Sequence, residues 1–326
     1  MTRQGGRQAV APALLNGLID IQVHGMAEWS VPTSMSVPGK TVPSLVAPGL
    51  PVPKFLYGTA WKEQETERLT RLALEAGFRG IDTANQRRHY FEAGVGAALK
   101  RAIASGVVRR EEVFLQTKFT YSGGQDHRLP YDPSADLATQ VRQSFASSLE
   151  HLQVDSIDSY VLHGPSRRRG LTASDLDVWR AMEELHAAGR TRFLGISNVA
   201  FDQIEELLTH AVVPPAFVQN RCFASQGWDR AVRAVCLAKG IVYQGFSLLT
   251  ANGKELQHPA FLRLAARVGK SPPQVVFRFA QQVGMLPLTG TTNVAHMRED
   301  LDASRFELSE EDVRLVETIT TVATAP

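Results

Sequence analysis

The chain has 326 residues, 44% of them hydrophobic and 21% charged, with a formal net charge of +2. It is long enough to bury a core without disulfides or metal, and its near-neutral balance gives no reason to expect nucleic acid or another polyanion as partner. Cys222 and Cys236 form neither a disulfide framework nor a zinc-ligand spacing, no apolar run approaches a membrane span, and Asn16 and Asp20 interrupt the leading apolar stretch, so a cytoplasmic protein is expected.

Residues 1–45 read as an N-terminal extension, punctuated by Pro32, Pro38 and Pro43 and partly irregular. Residues 46–326 read as one domain of alternating strands and amphipathic helices. The predicted strands are Phe55–Gly58, Phe78–Ile81, Val113–Thr117, Ile157–Leu162, Arg192–Ile196, Phe217–Gln219, Ile241–Tyr243 and Met285–Leu288. The helices between them are predicted over Glu65–Ala76, Glu92–Ala104, Ser134–Leu152, Phe201–Leu208 and Arg230–Ala238, with one running to Ala188 from a Ser174 cap. A helical pair over Pro259–Val283 precedes the eighth strand, and Val294–Ala303 follows it. Ser309, with Asp312 three residues on, caps a last helix to Glu317. Eight such units predict a closed (β/α)8 TIM barrel. A doubly wound sheet would need a glycine-rich phosphate loop after the first strand, and Gly58-Thr59-Ala60-Trp61 is not one.

Consecutive strand ends carry complementary ionisable groups. Asp82 closes the second strand, with Tyr90 in the loop beyond it; Lys118 closes the third and His163 the fourth. In a parallel barrel these converge on one mouth, where such folds keep their chemistry. Taken singly, each has a plain structural explanation: a helix cap, a solvated lysine, a core histidine, a half-buried aromatic. Arg167-Arg168-Arg169 reads as a solvated loop, because no aromatic residue interleaves it.

Together with these four, Thr117-Lys118, Leu162-His163, Gly195-Ile196-Ser197-Asn198, Gln219-Asn220, Phe246-Ser247-Leu248-Leu249 and Gly290-Thr291-Thr292-Asn293 stand in one order. In that order the chain from about Phe55 to Val316 resembles the aldo-keto reductases. The resemblance implies reduction of an aldehyde or ketone to an alcohol, with hydride from a nicotinamide cofactor. Tyr90 would be the general acid, Lys118 the ammonium that lowers its pKa, Asp82 the anchor of Lys118, and His163 the group that orients the substrate oxygen. Tyr90 follows Asp82 by eight residues and precedes Glu92 by two, a longer and then a shorter interval than the family's. Aligned from Glu92, the tyrosine position would hold His89, which is the lesser candidate for the acid.

By the same resemblance Ser197, Asn198 and Gln219 would hold the carboxamide and Phe246 would stack on the nicotinamide. Ser247 and Leu249 would lie along the pyrophosphate, Thr291, Thr292 and Asn293 would receive phosphate at a helix start, and Glu299 and Asp300 would contact adenine. Two family cations are missing, since the phosphate lysine falls at Gly290 and the adenine-side arginine at His296. NADPH is the expected cofactor, with NADH also possible. Trp61, Phe119 and Trp228 are candidates to line an open pocket for a small-molecule carbonyl substrate, with the Tyr121–Tyr131 loop as its rim. A monomer is the family-like expectation. Two rival readings stand beside this one: a Schiff-base lyase using Lys118, and a nucleotide-sensing barrel with little catalysis.

Overall fold

The structure is a computed structural model in which residues 52–321 are described. The expected extension over residues 1–45 and its boundary lie outside the described residues. Eight strands alternate with helices: β1 (Leu56–Gly58), β2 (Gly80–Asp82), β3 (Phe114–Phe119), β4 (Ile157–Leu162), β5 (Thr191–Ser197), β6 (Phe217–Arg221), β7 (Val242–Phe246) and β8 (Met285–Thr289). Each pairs in parallel with the next. The sheet closes where β8 meets β1, with Leu56 opposite Leu288 and Tyr57 opposite Thr289. The expected (β/α)8 barrel is the fold observed.

The surrounding helices are α1 (Thr66–Ala76), α2 (Glu92–Ala104), α3 (Leu137–Leu152), α4 (Ala173–Ala187), α5 (Phe201–His210), α6 (Arg230–Lys239), α7 (Pro259–Val268), α8 (Pro272–Gln282), α9 (Val294–Leu301) and α10 (Glu310–Glu317). Two predicted helix starts move. The α3 cap is Asp136, whose side chain accepts from the Thr139 amide, while Ser134 donates to Asp132 in the preceding turn. The α4 cap is Thr172, which forms a reciprocal box with Asp175, so Ser174 falls inside the helix. The predicted pair over Pro259–Val283 divides at Gly269, whose φ of 64° ends α7 as a left-handed cap. The Ser309 cap on α10 is as predicted.

Alternation along the strands sorts side chains into barrel interior and helix-facing shell. On β3, Phe114, Gln116 and Lys118 point inward, as their contacts with Phe217, Gln244 and Asp82 show. Leu115 and Phe119 join the main core beneath the helices. The interior is therefore layered. Leu56, Phe114, Phe217, Val242 and Leu286 form an apolar floor, with Gln116, Gln219 and Gln244 above it and Asp82 and Lys118 above those.

Candidate active site

Asp82 and Lys118 are both buried, and the lysine is wholly so. Lys118 Nζ donates to Asp82 Oδ1 at 2.6 Å and to the Thr83 carbonyl at 2.8 Å. Burial pushes the ammonium pKa down and Asp82 works against that push. The carboxylate thus opposes part of the neutralising effect of the interior.

Tyr90 reaches the same point from the lengthened loop. Its amide and that of His89 both donate to the Gln86 carbonyl, so the added residues form a compact turn. Gln86 Nε2 donates to Gly124 O at 2.6 Å, Asn85 Nδ2 donates to Ser144 O at 2.9 Å, and Gln125 Nε2 donates back to Asn85 O at 2.8 Å. This buried amide set pins the turn. It places Lys118 Nζ 5.4 Å from the centre of the Tyr90 ring, with the His163 ring 5.9 Å from it. The His89 ring stacks on Trp61 at 4.0 Å.

The electrostatics of the phenol differ from expectation. Burial first, and then the Asp82 charge, raise the Tyr90 pKa above its ordinary value. The ammonium lies over the ring, and no hydrogen bond joins it to the hydroxyl. Tyr90 is accordingly a protonated phenol across the neutral range.

His163 ends the same row. Its amide donates to Phe119 O, its carbonyl accepts from Asn198 Nδ2 at 2.7 Å, and its Nδ1 lies 2.7 Å from Thr120 Oγ1. Burial, with Lys118 and His89 adding to it, lowers the imidazole pKa to about 3, so the ring is neutral at physiological pH. The tautomer and the direction of this hydrogen bond go together: where the hydroxyl donates to Nδ1, the imidazole proton stands on Nε2. Sequence reasoning missed Thr120. Its only signal was a polar residue two positions after Lys118, on the same face of the chain.

The positions expected on the cofactor side surround this row. Ser197 is buried and donates to Gln219 O at 2.7 Å. Asn198 and Ser247 hold left-handed φ values of 52° and 56° at the ends of β5 and β7, a strain that side chains adopt at functional loops. Gln219 Nε2 donates to Asp82 Oδ1 at 3.0 Å, and its Oε1 accepts nothing among the described residues. Phe246 is half-buried with the Arg221 guanidinium 5.9 Å over its ring, and Leu249 packs on the core. Thr291 and Thr292 precede α9, and Asn293 caps it by accepting from the Ala295 and His296 amides. Glu299 is exposed.

Three expectations need correction. Asp300 is buried and accepts from Thr289 Oγ1 at 2.8 Å, so its carboxyl braces α9 against β8 and does not face an adenine site. Burial raises that carboxyl to about 6. Phe119 alternates with Lys118 along β3 and therefore points away from the mouth, packing on Tyr121 and Tyr131. Trp228 is fully buried, with Nε1 donating to Val316 O at 2.9 Å and its ring against Phe279. Of the three pocket candidates only Trp61, 72% exposed, is free to meet a ligand. The Tyr121–Tyr131 rim is tied at both ends, by Tyr121 Oη to Asp175 at 2.9 Å and Tyr131 Oη to Thr120 O at 2.7 Å.

One cation was not anticipated. Lys62 is buried, and its Nζ donates to Gly290 O at 2.7 Å, with no carboxylate beside it among the described residues. Burial lowers its pKa to about 8. A side chain at 290 would begin 3.7 Å from this nitrogen, so Lys62 fills from the β1–α1 loop the space that a lysine at 290 would leave toward. No nearby sequence pattern linked position 62 to position 290.

A sequence model described as Aldo/keto reductase family matches residues 55–321. The chain belongs to the aldo/keto reductase family. Among relatives of this aldo/keto reductase, deoxymugineic acid synthase 1-B of Triticum aestivum is 31% identical over 289 residues, covering 81% of this chain and 87% of the relative. Glyoxal reductase of Bacillus subtilis is 30% identical, covering 83% and 90%. Among solved structures, a Bombyx mori aldo-keto reductase in complex with NADP superposes with a TM-score of 0.70 at 25% identity, covering 83% of this chain and 90% of that one. The fold and family of this oxidoreductase are therefore settled. No helix among the described residues is long and apolar enough to cross a membrane.

Proposed function

We propose that this aldo/keto reductase reduces aldehydes and ketones to alcohols with NADPH, Tyr90 supplying the proton. The observation that carries the reading is the meeting of Tyr90, Lys118 and His163 at one mouth despite the altered loop spacing. When bound, the cofactor supplies hydride to the carbonyl carbon, and the alkoxide that develops takes the Tyr90 proton. The neutral His163 donates from Nε2 to the same oxygen, and Lys118 stabilises the phenolate left behind. Asp82 holds Lys118 in position.

The residues present fit the dinucleotide. Among the described residues Gln219 Oε1 is free to accept a carboxamide N–H, and Lys62 is a buried cation without an anion. Complexes of structural neighbours with NADP and NADPH favour the phosphorylated nucleotide over NADH. Exposed Trp61 beside His89 offers an apolar wall for the carbonyl compound. Two reduced, buried cysteines suit a cytoplasmic enzyme, and a monomer is the working state. Lys118 argues against a Schiff-base lyase, because its amine is fully buried with two hydrogen bonds already made.

The test is loss of nicotinamide absorbance with NADPH and with NADH against aromatic and aliphatic aldehydes. Tyr90→Phe should lower kcat at least about a hundredfold and leave nucleotide affinity in place. Turnover that survives in Tyr90→Phe but falls in His89→Ala would move the acid to His89. Tight nucleotide binding without turnover would favour the sensing barrel.

A further inference from the structure

Directly beneath Asp82 and Lys118 lies a layer of buried amides, of which the proposed chemistry uses Gln219 and assigns no role to Gln116 and Gln244. Asp82 Oδ1 accepts three hydrogen bonds: from Lys118 Nζ at 2.6 Å, Gln116 Nε2 at 2.7 Å and Gln219 Nε2 at 3.0 Å. Gln116 Nε2 also donates to Gln244 Oε1 at 2.8 Å, as does Gln219 Nε2 at 2.9 Å. The Gln116 carbonyl accepts from Ser159 Oγ at 2.9 Å and from Gln244 Nε2 at 3.0 Å. We propose that Gln116, oriented by Ser159, is a positioning residue that shares the Asp82 charge with Lys118 and so tunes how readily Tyr90 releases its proton. The inference rests on the reductase reading above.

The orientation of the amides is the core of the argument. A glutamine presents either a donor or an acceptor, and its carbonyl turned toward Asp82 would repel the carboxylate. Ser159 and Gln244 occupy the Gln116 carbonyl, so its NH2 group is committed to Asp82. The Gln244 carbonyl takes an N–H from Gln116 and from Gln219, so both amides point their donors the same way. Gln244 does not touch Asp82, and Ser159 by itself turns the Gln116 carbonyl away from the carboxylate. The layer is buried and closed on itself, which makes each bond count for more than it would in water.

The consequence falls on the proton donor. The groups that face Asp82 are Lys118 from β3 and Tyr90 from the β2–α2 loop, with His163 from β4 under the influence of Lys118 and His89. Glu92 on α2 acts on Lys118, and Lys62 follows β1. Asp82 disfavours a negative charge on Tyr90, while Lys118 favours it. Each N–H dipole aimed at Oδ1 offsets part of the aspartate charge, so removing one makes the phenolate harder to form.

The test compares Gln116→Met with Gln244→Met, two substitutions of similar shape in the same buried layer. Gln116→Met should move the high-pH limb of carbonyl reduction upward by about half a unit to one unit. It should also slow alcohol oxidation at pH 8 by about three- to tenfold, in kcat with the alcohol KM held, because the phenolate is the base in that direction. Gln244→Met should lower the thermal midpoint comparably and leave the limb within about 0.2 unit of wild type. Equal profiles in all three proteins, or equal shifts in both variants, would reduce the layer to a structural role and overturn the inference.

A wild-type chain without turnover would defeat the reductase reading by itself. The inference is then judged on the Lys118 ammonium, followed by NMR of 13Cε-labelled lysine and assigned with Lys118→Arg. An upward titration shift in Gln116→Met but not in Gln244→Met supports it, and an unmoved resonance overturns it.

Discussion

Thr120 shows how a single hydroxyl shapes the site. It sits two residues beyond Lys118 and lies 2.7 Å from His163 Nδ1, a contact that couples the hydroxyl to the imidazole tautomer. Thr120→Val keeps the shape and removes the donor. Reduction should lose about tenfold in kcat/KM, near the worth of one hydrogen bond of this kind. The 15N shifts of His163 should report a changed tautomer, and Thr120→Ser should restore both. Unchanged nitrogen shifts in the valine variant would show that Thr120 only fills space. The other decision at this scale concerns neighbours in sequence. Tyr90 and His89 compete for one role on paper, and the turn held by Gln86 and Asn85 sets the Tyr90 ring beside Lys118 and His163 and the His89 ring on Trp61.

At the scale of elements, the packing of α2 on α3 positions the loop that carries Tyr90. Gly96 is the contact point: a Cβ there would collide with the His151 carbonyl oxygen and lie 2.9 Å from Leu152 Cα. Both obstacles are backbone. Gly96→Ala should therefore destabilise by about 1–3 kcal/mol, as overpacking does, and lower the melting midpoint by several degrees. A midpoint equal to wild type would mean that the helices separate without cost. One turn away, the buried Glu92 accepts from Ser148 Oγ at 3.1 Å and from Thr117 Oγ1, and meets His151 Nδ1 at 3.3 Å. The hydrogen bond to Glu92 raises the His151 pKa. A raised histidine stabilises fully below its unfolded value of about 6.5, and that contribution disappears as pH rises through the folded value. Because the His151 side chain is 43% exposed, the contribution is screened to less than about 1 kcal/mol. His151→Gln should flatten the dependence of melting midpoint on pH in this window. An unaltered slope would assign it to other groups.

At the scale of the whole molecule, closure of eight strands gathers residues far apart in sequence onto one site. Lys62 and Gly290 are one wide case, with a lysine from the first loop serving the start of α9. NADPH at about a hundred times its Kd should stabilise the folded chain by about 2.7 kcal/mol. A thermal-shift titration should show that gain, and Lys62→Met should need roughly tenfold more nucleotide to reach it, as loss of one charge-assisted bond implies. An identical titration would remove Lys62 from the nucleotide site.

Strand and helix order, the barrel, the family and the Asp82, Lys118 and His163 strand ends were all legible in the sequence. Each depends on local periodicity or on motifs a few residues long, and hydrophobic alternation is a property of the chain itself. What the sequence could not decide depends on the other side of a contact. Phe119 and Trp61 are equally apolar in sequence, yet one faces the core and the other solvent, because the pleat of β3 and the strained turn at Trp61, with φ of 61°, set their directions. The raised Tyr90 phenol, the inward Asp300, the Lys62 cation and the amide layer under Asp82 are likewise products of burial and closure. Desolvation and hydrogen-bond partnership exist only once distant strands have met, and the tertiary structure alone decides them.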